Sequence, residues 1–225
     1  MSTPRPPFEP KTVPLHELVR HAWQEGQRID LEGIGYGRIH WGNASDVVDF
    51  PLPYYRFLAG LVQSLNLTRI LEIGTHWGGA TRAMWHGVRD KDAACVVTVD
   101  ITTESDSRLH AYPDIKKVVG DANTEEAFEE TIGHFGTQPI DLLYIDADHF
   151  MMPLLLNYSL YTTVLRPKFV VMDDVTWSDS MLKAWNVMAR YFPHEDIINA
   201  PSVDRAVRPE PDNPGFGVVR LRQNF

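Results

Sequence analysis

Six carboxylates stand at the ends of short apolar runs: Glu72 in Arg69-Ile70-Leu71-Glu72-Ile73, Asp100 after Cys95-Val96-Val97-Thr98-Val99, and Asp121 after Lys117-Val118-Val119-Gly120. Asp146 follows Leu142-Leu143-Tyr144-Ile145, and the pair Asp173-Asp174 follows Phe169-Val170-Val171-Met172. An ionised carboxylate offers two acceptor oxygens, so acids gathered at one edge make a place for hydroxyls and cations. The turn-forming tendency of Asp accounts for one or two such positions. It does not account for all of them beside a glycine turn.

That turn is Glu72-Ile73-Gly74-Thr75-His76-Trp77-Gly78-Gly79. Glycines after a first strand let the chain turn sharply and let a ligand approach the main chain. Gly74 and Gly78 have the spacing G-x-x-x-G. A dinucleotide fingerprint, G-x-G-x-x-G, would need glycine where His76 stands, which argues against a dinucleotide.

Elements that would carry these residues to one edge can be read along the chain. Helices are predicted at 15–24, 54–65, 79–88, 125–135 (capped by Asn123 or Thr124), 153–165 and 181–192. Strands are predicted at 69–74, 95–100, 117–119, 140–146, 169–173, 196–198 and 217–221. Short continuous Val/Ile/Leu strands separated by helices imply a parallel sheet covered on both faces, a doubly wound α/β architecture. Such sheets bind ligands beyond the carboxyl ends of their strands, where the acids fall.

The chain has 225 residues, 21 Lys+Arg against 30 Asp+Glu, and a formal charge of −9, which opposes binding to a phosphate backbone. With 44% hydrophobic and 23% charged residues it reads as a globular chain with a substantial core. Cys95 has no partner for a disulfide and sits in an apolar run. The N-terminal segment, with five prolines in its first fourteen residues, reads as an extended arm without a signal-peptide core, and no membrane span is predicted. A soluble, cytoplasmic protein is expected. No H-E-x-x-H occurs, which excludes a zincin.

The acid, one residue, glycine, three residues, glycine pattern of Glu72, Gly74 and Gly78, with the later acids in order, resembles the class I S-adenosylmethionine-dependent methyltransferases over roughly 58–225. The resemblance implies that the glycine turn cradles the methionine part of the cofactor and that Asp100 holds the ribose hydroxyls. It also implies that Asp121 and Ala122 lie by the adenine. A narrower resemblance follows from Asp146-Ala147-Asp148-His149 and Asp173-Asp174-Val175-Thr176-Trp177. It is to the divalent-metal-dependent O-methyltransferases of the catechol and caffeoyl-coenzyme A type, which carry Asp-Ala-Asp-Lys and Asp-Asn. That likeness implies a cation held by Asp146, Asp173 and Asp174, with Asp146 alternatively helping to place the cofactor. The hard oxygen set suits Mg²⁺, or Ca²⁺ or Mn²⁺.

Two residues depart from that pattern. Asp174 stands for the family's Asn and adds a negative charge. His149 stands for its Lys, as in related sugar-hydroxyl methyltransferases and a cephalosporin-hydroxylase-like group, and becomes the candidate general base.

The expectation is thus a Rossmann-like, seven-stranded, mostly parallel sheet with an antiparallel last strand and an N-terminal helical and loop lid. Residues 1–52 form the arm and lid, and 53–225 the cofactor-binding domain. The expected activity is methyl transfer to a hydroxyl of a small molecule such as a phenol, sugar or natural product, with Trp177, Trp41, Tyr36 and Phe150 as candidate acceptor contacts. A homodimer is left open, and neither nucleic acid nor membrane is an expected partner. The alternatives are a hydroxylase of the cephalosporin-hydroxylase-like group, a metal-independent N-methyltransferase, and a non-catalytic cofactor-binding subunit.

Overall fold

The computed structural model describes residues 13–34, 53–103, 105–199 and 215–222. Within them the elements are α1 (Leu15–Gly26), α2 (Pro53–Ser64), β1 (Arg69–Ile73), α3 (Gly79–Val88), β2 (Cys95–Asp100), α4 (Asp106–Leu109) and β3 (Ile115–Val119). There follow α5 (Glu125–Gly133), β4 (Leu142–Ile145), α6 (Met151–Leu165), β5 (Phe169–Met172), α7 (Asp179–Tyr191), β6 (Asp196–Asn199) and β7 (Gly217–Arg220). Tyr36, Trp41, most of the Pro-rich arm and the polar loop before β7 lie outside the described residues.

The strands form one seven-stranded sheet in the order β3-β2-β1-β4-β5-β7-β6. Pairings from β3 to β5 are parallel, and β7 runs antiparallel to both β5 and β6. This is the doubly wound architecture expected, with the reversal of strand order between β1 and β4. A ligand-binding crevice forms at such a reversal because the connections leave β1 and β4 in opposite directions.

Alternate residues of each strand serve opposite faces. Ile70, Val96, Leu142, Phe169 and Val218 pack under α1, α2 and α3. Leu71, Val97, Leu143, Val170 and Val219 pack under α5, α6 and α7. Leu15, Leu18, Val19, Ala22, Leu31 and Ile34 belong to the first of these clusters, so the N-terminal part of the described chain shares the core of the sheet.

Local chemistry sets the helix ends. The Thr124 hydroxyl accepts the Ala127 amide and caps α5, and the Ser178 hydroxyl accepts that of Met181 and caps α7. Helix α6 begins two residues before Pro153, whose missing N–H is tolerated in a first turn. The short α4 has no counterpart among the predicted elements because four residues carry no readable helical period.

Candidate functional site

The turn after β1 is held from three sides. The Gly74 N–H donates to the Val99 carbonyl at 2.9 Å, and the Gly78 N–H donates to Thr75 at 2.7 Å. Gly74 lies at φ +98°, and a Cβ there would stand 2.0 Å from the Asp146 carbonyl oxygen. Gly78, at φ +74°, caps α3 in the left-handed region. Glycine is needed at both places because an L side chain is strained there.

Asp100 closes the next side. Its Oδ2 accepts the His76 amide at 2.7 Å and its Oδ1 accepts the Thr102 amide at 2.9 Å, which orients the carboxylate over the glycine turn. Asp121 follows β3, is exposed, and accepts the Asn123 amide at 2.9 Å. The neighbouring Ala122 is buried, and its carbonyl accepts the Tyr161 hydroxyl at 3.0 Å. The glycine turn, Asp100 and the Asp121-Ala122 step therefore line consecutive strand ends.

Glu72 is placed differently from the other acids. It lies within β1, wholly buried, with Oε2 accepting the hydroxyls of Thr81 and of Thr98, the latter at 2.6 Å. Thr98 spends its proton on Glu72, so the Thr75 hydroxyl donates to Thr98 at 2.6 Å. Burial pushes the Glu72 carboxyl up to about 8 against the two hydroxyl donors. Glu72 is thus a neutral acid near pH 7 that ties Thr75 of the turn and Thr81 of α3 to the sheet from beneath.

At the ends of β4 and β5 the remaining acids converge. Asp146 and Asp173 continue the ladder, their N–H groups donating to Ile73 at 2.8 Å and Ile145 at 2.9 Å. Ligand atoms of Asp146, His149 and Asp174 all lie within 4.8 Å of one another. His149 Nε2 stands 3.0 Å from Asp174 Oδ2 and 3.6 Å from Asp146 Oδ1. Asp173 sits behind this group, with Oδ1 accepting the Asp174 amide at 2.8 Å and Oδ2 accepting the Tyr144 hydroxyl at 3.2 Å. Asp148 and Asp174 both hold left-handed backbones, at φ 46° and 57°, as tight turns at functional edges often do.

Electrostatics follow from this crowding. Contacts with Asp146 and then Asp174 raise the His149 imidazole to about 10, outweighing its partial burial. Between these acids alone, His149 therefore holds its proton at neutral pH. Asp146 is itself raised by burial and by the Asp174 charge, with His149 opposing.

Beside the cluster, Trp177 and Phe150 are exposed large side chains, and the Trp177 ring lies 6.2 Å from that of His149. A separate groove of about 420 Å³, lined among others by Tyr158, Thr162, Arg166, Phe192 and Arg222, lies at the opposite ends of the strands and contains no acid. Among the described residues, no helix is long and apolar enough to cross a membrane.

Residues missed in the sequence are the threonines under the glycine turn and Tyr144. Tyr144 is the one residue of β4 with a polar tip, two positions before Asp146 and so in phase with it, which was a readable signal.

Residues 71–175 match a family model described as a methyltransferase domain. No curated protein matches the sequence. Among solved structures, an O-methyltransferase from Bacillus cereus in complex with SAH is 15% identical, with a TM-score of 0.59 over 94% of this chain and 93% of that one. The O-methyltransferase TomG from Streptomyces achromogenes, involved in tomaymycin synthesis and solved with SAM, is 18% identical, with a TM-score of 0.59 over 92% and 90%. The SAH-bound methyltransferase PaMTH1 of Podospora anserina is 13% identical, with a TM-score of 0.58 over 99% and 100%. Residues 71–175 are thus similar to a methyltransferase domain, and the described chain has the fold of these solved O-methyltransferases.

Proposed function

We propose that the protein transfers a methyl group from S-adenosylmethionine to a hydroxyl of a small molecule, with a divalent cation at the acid cluster. The observation that carries this reading is the contact of Gly74 with the Asp146 carbonyl, which puts the glycine turn and the acid and histidine cluster side by side. Donor and acceptor sites must adjoin for an in-line displacement.

On the cofactor side, Asp100 has its carboxylate fixed by two amides and can accept both vicinal ribose hydroxyls. Asp121 and Ala122 border the place for the adenine. Glu72 shapes the turn through Thr75 and Thr81. In the reaction an acceptor oxygen attacks the methyl carbon, the C–O bond forms as the C–S bond breaks, the sulfonium becomes a neutral thioether, and the hydroxyl proton must leave.

The acid cluster suits a hard cation. Its oxygen donors are those Mg²⁺, Mn²⁺ or Ca²⁺ prefer, and two carboxylates, Asp146 and Asp174, converge on one point there. Asp146 and Asp174 would hold the ion, with Asp173 adjoining. A cation there would polarise the acceptor hydroxyl and lower its pKa. His149 takes a proton only when its two acids are otherwise neutralised, since alone they keep it charged. Exposed Trp177 and Phe150 beside His149 favour an acceptor with a flat or apolar part.

One observation favours a second reading. The His149 imidazolium already lies between Asp146 and Asp174, so a metal-independent methyltransferase could use it as the counter-charge. Calorimetry with S-adenosylmethionine, followed by transfer assays on phenol and sugar-hydroxyl panels with Mg²⁺ or with chelator, tests both. Absence of binding heat removes the methyltransferase reading, and full activity in chelator selects the metal-independent one.

A further inference from the structure

Tyr144 occupies the centre of β4, aligned with Glu72 of β1 and Val171 of β5, and has no solvent exposure. A buried phenol is costly unless its hydroxyl finds a partner. Here the hydroxyl lies 3.1 Å from Asp146 Oδ2 and 3.2 Å from Asp173 Oδ2. One donor therefore bridges carboxylates that belong to two different strand ends.

The bridge constrains both arms of the acid cluster. With Oδ2 of Asp146 turned toward Tyr144, its Oδ1 is the oxygen that faces His149 at 3.6 Å. With Oδ2 of Asp173 turned the same way, its Oδ1 accepts the Asp174 amide at 2.8 Å, fixing the left-handed turn that presents the Asp174 carboxylate to the cluster. A phenylalanine would fill the same space but remove the one hydroxyl that ties Oδ2 of Asp146 to Oδ2 of Asp173.

We propose that Tyr144 is a positioning residue of the acid cluster: its buried hydroxyl clamps Asp146 and Asp173 in the arrangement that receives a divalent cation. The inference rests on the cation reading of the cluster. Hydrogen-bond partners that orient ligating carboxylates commonly change metal affinity 10–100-fold.

The test is Y144F, which removes one oxygen and keeps the ring. Mn²⁺ is titrated calorimetrically into the parent and the variant, each saturated with S-adenosylhomocysteine, and cofactor affinity and far-ultraviolet circular dichroism are measured alongside. The expected result is Mn²⁺ binding weakened about 10-fold or more, with cofactor affinity within about twofold and the spectrum unchanged. Mn²⁺ affinities within twofold of each other would overturn the role of Tyr144 and leave the cation reading standing. Cofactor affinity lost in step with Mn²⁺ would also overturn it, showing a general structural role. No Mn²⁺ heat with the parent would overturn the cation reading and the inference with it.

Discussion

Gly74 and Asp146 meet backbone to backbone: a Cβ on Gly74 would stand 2.0 Å from the Asp146 carbonyl oxygen. The glycine turn after β1 and the acid end of β4 are thus one packed unit, and whatever moves one moves the other. Gly74→Ala should destabilise the fold by about 3 kcal/mol or more and abolish cofactor binding, since it adds a clash to a left-handed φ. Gly133→Ala, at a helix end where a Cβ meets nothing within 4 Å, should be neutral or stabilising by up to about 1 kcal/mol. Chemical denaturation of both variants checks the contrast.

Asp100 is held by two amides so that its remaining lone pairs face outward. Asp100→Ala should weaken S-adenosylmethionine binding at least 10-fold, about 1.4 kcal/mol, and Asp100→Asn should fall between variant and parent. Calorimetric affinities in that order support the ribose assignment; an unchanged affinity for Asp100→Ala rejects it.

Glu72 has a native carboxyl raised to about 8, against an ordinary value of 4.5. Between those values the folded state holds a proton the unfolded chain has lost, so stability falls as pH rises from about 4.5 to about 8 and levels off above. The total is of the order of a few kcal/mol. Glu72→Gln, which lacks this penalty, should melt progressively higher than the parent as pH rises through that window. A Tm difference that stays constant from pH 5 to pH 8 would show that the carboxyl is ionised in the fold.

His149 gains its raised pKa from Asp146 and Asp174, so in the cation-free protein its stabilising contact is fully present below about 6.5 and is lost as pH rises through about 10. With the side chain partly exposed, the contribution is screened and modest. Under chelator, His149→Ala should lower Tm at pH 6 and have little effect near pH 10. In transfer assays the same variant should lose rate while cofactor affinity stays nearly intact; a collapse of affinity would make His149 a cofactor contact.

Much of the architecture is legible in the residue order because parallel strands buried on both faces must be largely apolar runs, as Phe169–Met172 is throughout and Cys95–Asp100 is apart from Thr98 and the terminal acid. Helix α3 and strand β2 have the bounds read from sequence because a glycine turn and a terminal acid delimit them. The short α4 escapes such reading. So does the buried position of Glu72: period-2 alternation puts it on the face shared with Tyr144, but only the fold supplies Thr75, Thr81 and Thr98 around it.

By itself the sequence determined which residue types arrive at the carboxyl edge of the sheet and in what order, since strand ends and turn glycines are local properties of the chain. Only the tertiary structure decided how those acids pair. It set Tyr144 between Asp146 and Asp173, drew His149 into a charge contact with Asp174 that lifts its pKa to about 10, and left Glu72 beneath the turn as a buried neutral acid. The reason is that pKa and hydrogen-bond partnership depend on distance and desolvation between segments far apart in the chain, which residue order does not encode locally.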